Sequence, residues 1–132
     1  MNNGEFDFGD LLADLLRSDD SWSKPLSDSL RARVLMVTLF SAAMKLVHDL
    51  RSRGSMVEMG EWTSEDSFEL KAKGREVRFH RPNRGTTVVV ICSGVPSELK
   101  PAESSITPPN DIDSIKTHAL EIAKWAVRAL FA

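Results

Sequence analysis

Apolar residues change their spacing twice along this chain. Each change marks a change of backbone element. From Ser27 to about Ser52 the spacing is helical, and between Val34 and Val47 apolar side chains occupy nearly every face. A helix that is apolar all round is buried on more than one side. This one is expected to be the central helix of the domain, or to pack against a second subunit as well. Ser27 can cap its start and Asp28 suits the positive end of the helix dipole. Arg51 and Arg53 suit the negative end, and Gly54 is placed to terminate it.

Between residues 55 and 92 the period falls to two. The dipeptide Lys73-Gly74 fits a two-residue hairpin loop, because glycine tolerates positive φ there. That placement sets a register: Ala72 opposite Arg75, Lys71 opposite Glu76, Leu70 opposite Val77, Glu69 opposite Arg78 and Phe68 opposite Phe79. Two pairs of opposite charge then share one face and two apolar pairs share the other. Such cross-strand pairs contribute about 0.2–1 kcal/mol each. A slip of one residue would destroy both sets together. Arg81-Pro82-Asn83-Arg84-Gly85 reads as a second turn, followed by a strand over 86–92. Met56 to Trp62 reads as the first strand, with a turn over Thr63 to Ser67.

Residues 93–110 hold four prolines and no period, which predicts a long connection with room for a short extra strand around Val95 to Leu99. The period returns to 3.6 from about Asp111 to Phe131. Asn110 or Asp111 caps this helix, and Ile112, Ile115, Ala119, Ile122, Ala126 and Leu130 form its apolar stripe, widened by Leu120, Ala123 and Val127. The pattern predicts an α+β fold: a four-stranded antiparallel meander sheet, flanked by a long N-terminal-side helix and a long C-terminal helix that both lie on its apolar side. The domain is expected to span 25–132, behind an acidic leader over 1–24.

Composition adds limits. With 132 residues, 42% hydrophobic and 27% charged, the chain suits one globular domain, not a disordered, collagenous or disulfide-scaffold protein. A single cysteine, Cys92, cannot form an internal disulfide, which points to a reducing, cytoplasmic compartment. The first residues lack the basic start of a secretory signal, and the longest apolar run is too short to span a bilayer, so no membrane partner is expected.

The formal net charge of −2 conceals a lopsided distribution. Residues 1–20 carry net −5, and residues 69–85 carry net +4. Within the leader, Phe6, Phe8, Leu11, Leu12, Leu15 and Leu16 form a short amphipathic cluster, fit either to dock on the domain or to enter a partner's groove. The strand over 86–92 is anomalous in a different way, because Val88, Val89, Val90 and Ile91 are apolar on both faces at the expected edge of the sheet. Cover by helices on both faces, pairing with the 93–110 connection, and pairing with another chain would each account for it.

Candidate chemistry is sparse. His48, His80 and His118 have no metal-ligand spacing with one another or with Cys92, and no cofactor motif is present. Cys92 with His80 or His118 is the one arrangement that would make a thiol nucleophile and its base, yet a lone cysteine is ordinarily a small buried hydrophobe. Glu58, Glu61, Glu65 and Asp66 cluster around Trp62 and read as a solvated strand end and its turn. On the basic hairpin, Lys73, Arg75, Arg81 and Arg84 are the cations left free by the expected register, and they form the candidate nucleic-acid surface. Against that reading stand the pairing of Lys71 and Arg78 with carboxylates and the lack of exposed aromatics on the hairpin. The resulting expectation is a non-enzymatic protein-binding protein: an assembly factor, chaperone, inhibitor or adaptor. It acts as a homodimer and uses the leader cluster together with Val89 and Ile91. A nucleic-acid-binding module is the alternative.

Overall fold

The computed structural model describes residues 27–64, 66–100 and 105–132. The leader, with Phe6, Phe8, Leu11, Leu12, Leu15 and Leu16, lies outside the described residues. Two long helices, α1 (Asp28–Ser52) and α2 (Ile112–Phe131), enclose in sequence an antiparallel meander of five strands. The strands are β1 (Glu58–Met59), β2 (Ser67–Ala72), β3 (Arg75–His80), β4 (Val88–Ser93) and β5 (Ser105–Ile106), ordered β1-β2-β3-β4-β5. The fold is α+β. Among the described residues, no helix is long and apolar enough to cross a membrane.

The hairpin register is the expected one throughout, from Phe68 opposite Phe79 to Ala72 opposite Arg75. Lys73 and Gly74 both take positive φ, 54° and 74°, the turn form whose twist matches that of the strands. The register turns Phe68, Leu70, Val77 and Phe79 inward, and all four are fully buried. Continuing across the sheet, Phe79 faces Val90 and Val77 faces Cys92, so Val88, Val90 and Cys92 share that inner side. Glu69, Lys71, Glu76, Arg78, His80, Val89 and Ile91 have the opposite parity and form the outer side.

Both helices pack on the inner side. They lie along each other, with α2 against β2 and β3 and α1 touching β1 and β4. Every residue of α1 from Val34 to Leu39 is buried within one copy of the chain, which makes it the central helix. Thr38, the one polar residue of that run, donates its hydroxyl to the Val34 carbonyl at 2.6 Å, so its burial leaves no unpaired group. On α2, Ile115, Ala119, Ala123, Ala126, Ala129 and Leu130 are buried. Its alanines allow close approach to α1. Leu120 does not widen the stripe; it faces solvent.

Both caps form as expected. Ser27 Oγ accepts from the Leu30 amide, and Asp111 Oδ1 accepts from the Ser114 amide at 2.8 Å. The Ser114 amide and hydroxyl hold the Asp111 carboxyl below its ordinary value. That stabilisation is present above the unfolded carboxylate range and is lost as pH falls through the lowered value.

The margins of the sheet depart from expectation. The first strand shrinks from Met56–Trp62 to two residues. Beyond Met59, the Gly60 amide still donates to the Glu69 carbonyl, but the Glu69 carboxylate lies directly over Gly60, where a Cβ would come within 2.6 Å of it. The chain then leaves the ladder for the Thr63–Ser67 turn. The extra strand does come from the 93–110 connection, but at Ser105–Ile106 and not at Val95–Leu99. Pro96 cannot donate to a ladder, Ser97–Leu99 forms a 3₁₀ turn, and the Leu99 carbonyl accepts from Trp125 Nε1 at 2.8 Å.

Arg81 is the largest correction. Instead of standing free on the turn, it is buried, with Nη2 at 2.6 Å and Nε at 3.1 Å from Asp66 Oδ2 and Nη1 at 3.1 Å from the Gly85 carbonyl. Asp66 is held at φ 55° to make this contact, and its other oxygen accepts from Trp62 Nε1. The pair thus ties the turn before β2 to the turn after β3. Removing one partner of a buried ion pair leaves an uncompensated charge. Arg81→Ala is therefore expected to lower unfolding free energy by about 3–5 kcal/mol, read as a lower urea midpoint at unchanged slope.

A second prediction compares two glycines of positive φ. At Gly74 an added Cβ meets nothing within 4 Å, whereas at Gly94 it comes 2.9 Å from the Gly74 carbonyl oxygen. Gly74→Ala is expected to cost the dihedral term alone, about 1 kcal/mol, and Gly94→Ala clearly more. Equal thermal midpoints for the two variants would contradict the close approach of β4 to the hairpin loop.

Candidate functional site

Among the described residues the outer side of the sheet carries no helix, and its polarity changes across the strands. On β2 and β3 it is a charge ladder. Glu76 sits 3.8 Å from Lys71 Nζ and 3.4 Å from Arg78 Nε, while Glu69 lies 4.0 Å from Lys71. The closest partners of Glu69 and Arg78 are thus neighbours two residues away on their own strands, although the two residues face each other in the register. On β4 the ladder stops. Val89 lies between His80 and Ser105, and Ile91 lies opposite Arg78. Ile91 is 49% exposed, a β-branched apolar residue beside a guanidinium.

The three accounts of strand 86–92 can now be separated. Among the described residues, helices cover one face, and the leader lies outside the described residues. Pairing with the 93–110 connection occurs, among the described residues at Val88 with Ile106 and Val89 with Ser105. Among the described residues, β4 from Val90 to Ser93 has β3 as its strand neighbour, and residues 101–104, which precede β5, lie outside the described residues. Pairing of that remainder with another chain is compatible with this geometry. Edges of this kind are normally blocked by charge, proline or a bulge. Here the outward residue is Ile91.

The candidate cations of the hairpin are mostly engaged. Arg75 Nη1 donates to the carbonyls of Ala129 at 2.9 Å and Ala132 at 2.5 Å, closing the last turn of α2. Lys73 Nζ stands 5.3 Å from the centre of the Phe131 ring, a cation–π contact at the same helix end. Arg81 is the buried structural group described above. Arg84 lies in the 3₁₀ turn Pro82–Arg84. These residues do not converge on one surface: Lys73 and Arg75 sit at the hairpin loop, and Arg81 and Arg84 at the opposite end of β3.

Nucleophile chemistry finds no support in the arrangement. Cys92 has inner parity and packs against the core, while His80 has outer parity on the neighbouring strand, so the sheet separates them. His118 lies on α2 in a shallow hollow with Pro109, Ser114, Thr117 and Glu121. Burial pushes the Cys92 thiol above its ordinary value, and Lys100 offsets this in part. Around Trp62, Glu58 faces Lys71 across the strands and Asp66 belongs to Arg81, so these two carboxylates do not pair with each other. Glu65 lies outside the described residues. Among the described residues, no group of three or more His, Cys, Asp and Glu side chains could hold a metal ion.

Comparison of the chain with protein-family models, with curated proteins and with solved structures finds no match. The surface itself is therefore the source of any functional argument. The anomaly of β4 was readable from the run Val88–Ile91, apolar on both faces, whereas which face the helices cover was not. The engagement of Arg81 by Asp66 was not, because nothing in the local sequence links two residues on different turns.

The raised Cys92 thiol has a direct test. Iodoacetamide should modify Cys92 in the folded protein more slowly than a cysteine in a small peptide at pH 8. The rate should rise with pH through a midpoint above the ordinary thiol value, since only the thiolate reacts.

Proposed function

We propose that the protein is a non-enzymatic protein-binding protein that pairs with a second copy of itself through the exposed side of β4. The observation that carries this reading is Ile91, a β-branched apolar side chain half exposed on the outer side of β4. An antiparallel partner strand at Val90–Ser93 would extend the sheet and bring the Ile91 and Val89 side chains of two copies together about a two-fold axis. Such an isologous contact uses the same patch on both subunits. The charge ladder on β2 and β3 supports this reading, because its alternating signs present no single-sign field to repel an identical neighbour. The apolar run Val34–Leu39 of α1 is buried within one copy and so is not the surface used for pairing.

The test is the mass of the full chain in solution, by light scattering across a concentration series. The wild-type chain is expected to be dimeric. Ile91→Glu, which removes the apolar contact and gives Arg78 a second carboxylate neighbour beside Glu76, is expected to be monomeric with its thermal midpoint retained. A wild-type chain that stays monomeric at high concentration overturns the proposal, as does an Ile91→Glu variant that remains dimeric.

A further inference from the structure

A second surface lies at the opposite end of the hairpin register from Arg81. A groove of about 850 Å³ opens between the C-terminal end of α1, β1, the Lys73–Gly74 loop and the end of β4. Its size is that of an ordinary ligand cleft. Four cations, Arg51, Lys71, Lys73 and Arg75, line it against two carboxylates, Glu58 and Glu76.

The cations are not equally committed. Arg75 is spent on the last carbonyls of α2. Arg51 is anchored through Nε to the Val57 carbonyl at 2.9 Å, which fixes its head group at the groove while its terminal nitrogens keep donor capacity. Lys71 is held only by long contacts of 3.8 and 4.0 Å. Lys73 rests on a ring, leaving all three ammonium protons for another acceptor. The floor is apolar, with Val57 and Ala72 buried. At the rim stands Met56, 86% exposed and the most exposed large apolar residue among those described.

We propose that this groove binds an acidic peptide of a partner protein, with Arg51, Lys71 and Lys73 meeting its carboxylates and Met56 meeting an apolar side chain. The two chemistries meet in this groove, where Met56 stands beside Arg51, Lys71 and Lys73. A flexible, polarisable methionine suits peptides of varied sequence. A phosphate backbone fits less well. Glu58 and Glu76 interrupt the positive lining, and no exposed aromatic offers a base a stacking platform. The inference rests on Met56, Arg51, Lys71 and Lys73, residues other than the Val89 and Ile91 of the β4 pairing, and the two surfaces meet at Ser93.

The experiment is fluorescence anisotropy of the full chain with a labelled peptide of about a dozen residues, alternating Glu and Leu, beside its Gln counterpart. The acidic peptide is expected to bind about tenfold more tightly than the Gln peptide, and less tightly as salt rises. Lys73→Gln and Met56→Ser are each expected to weaken it several-fold at unchanged thermal midpoint and unchanged mass by light scattering. Equal binding of the two peptides overturns the proposal, and so does indifference to both substitutions. Retention of a single-stranded oligonucleotide in preference to the acidic peptide also overturns it, in favour of a nucleic-acid surface.

Discussion

The parity of the sheet rests on a two-residue turn. With Lys73 and Gly74 both in the left-handed region, every residue from Ser67 to His80 is assigned a side. β4 inherits the assignment through its pairing with β3. A slip of one residue in the pairing would turn one strand over against the other, setting Phe68 beside Arg78 and Leu70 beside Glu76, so that charge would be carried under the helices. Desolvating those charges would cost far more than any rearranged contact could return. The helices can therefore only cover one side, and the other is left as charge on β2 and β3 and as aliphatic surface on β4.

The core built on that parity is held by aromatic packing at one end and small residues at the other. Phe40 of α1 meets Phe68 edge-on at 5.1 Å and Trp62 at 5.3 Å, while Trp62 stacks on Phe68 at 6.1 Å. Edge-to-face and offset arrangements of this kind contribute beyond the area they bury. The same Trp62 reaches through its indole nitrogen to Asp66 and hence to Arg81. A polar knot and an aromatic cluster thus share a residue, so disturbance of either is felt by both. Toward the other end, α2 presents Ala119, Ala123, Ala126 and Ala129, and its final carbonyls are gathered by Arg75 from the hairpin.

How much of this was legible follows from the range of each interaction. The hairpin was legible because its register is decided by residues within a few positions of the turn. Both helices were legible because their caps and periodicity are local. The buried face of α1 could be seen to need cover, but whether a second subunit supplied it was a tertiary matter, settled by α2. The fifth strand was sensed in the connection and misplaced within it, since two residues at Ser105–Ile106 carry no periodic signal. Arg81 was misread because a cation on a turn next to proline looks solvated; its partner Asp66 sits on a different turn, at a positive φ that the sequence does not announce. For the candidate surface, Ile91 was legible as an anomaly, whereas the groove was not. Its residues come from α1, β1, the hairpin loop and β4, and only the assembled fold brings Arg51 and Lys73 together.

The contact between Arg75 and the carbonyls of Ala129 and Ala132 also orders events during synthesis. The strands from β1 to β4 leave the ribosome well before Ile115 to Leu130, the residues that roof their apolar side. For that interval a nascent sheet would show Phe68, Leu70, Val77 and Phe79 to solvent or to any neighbouring chain. Its long-range closure waits on the last helix, and slow, non-local closure is where aggregation competes with folding. The ionic ladder on the reverse of the hairpin keeps the half-made sheet hydrated on one flank until the roof arrives.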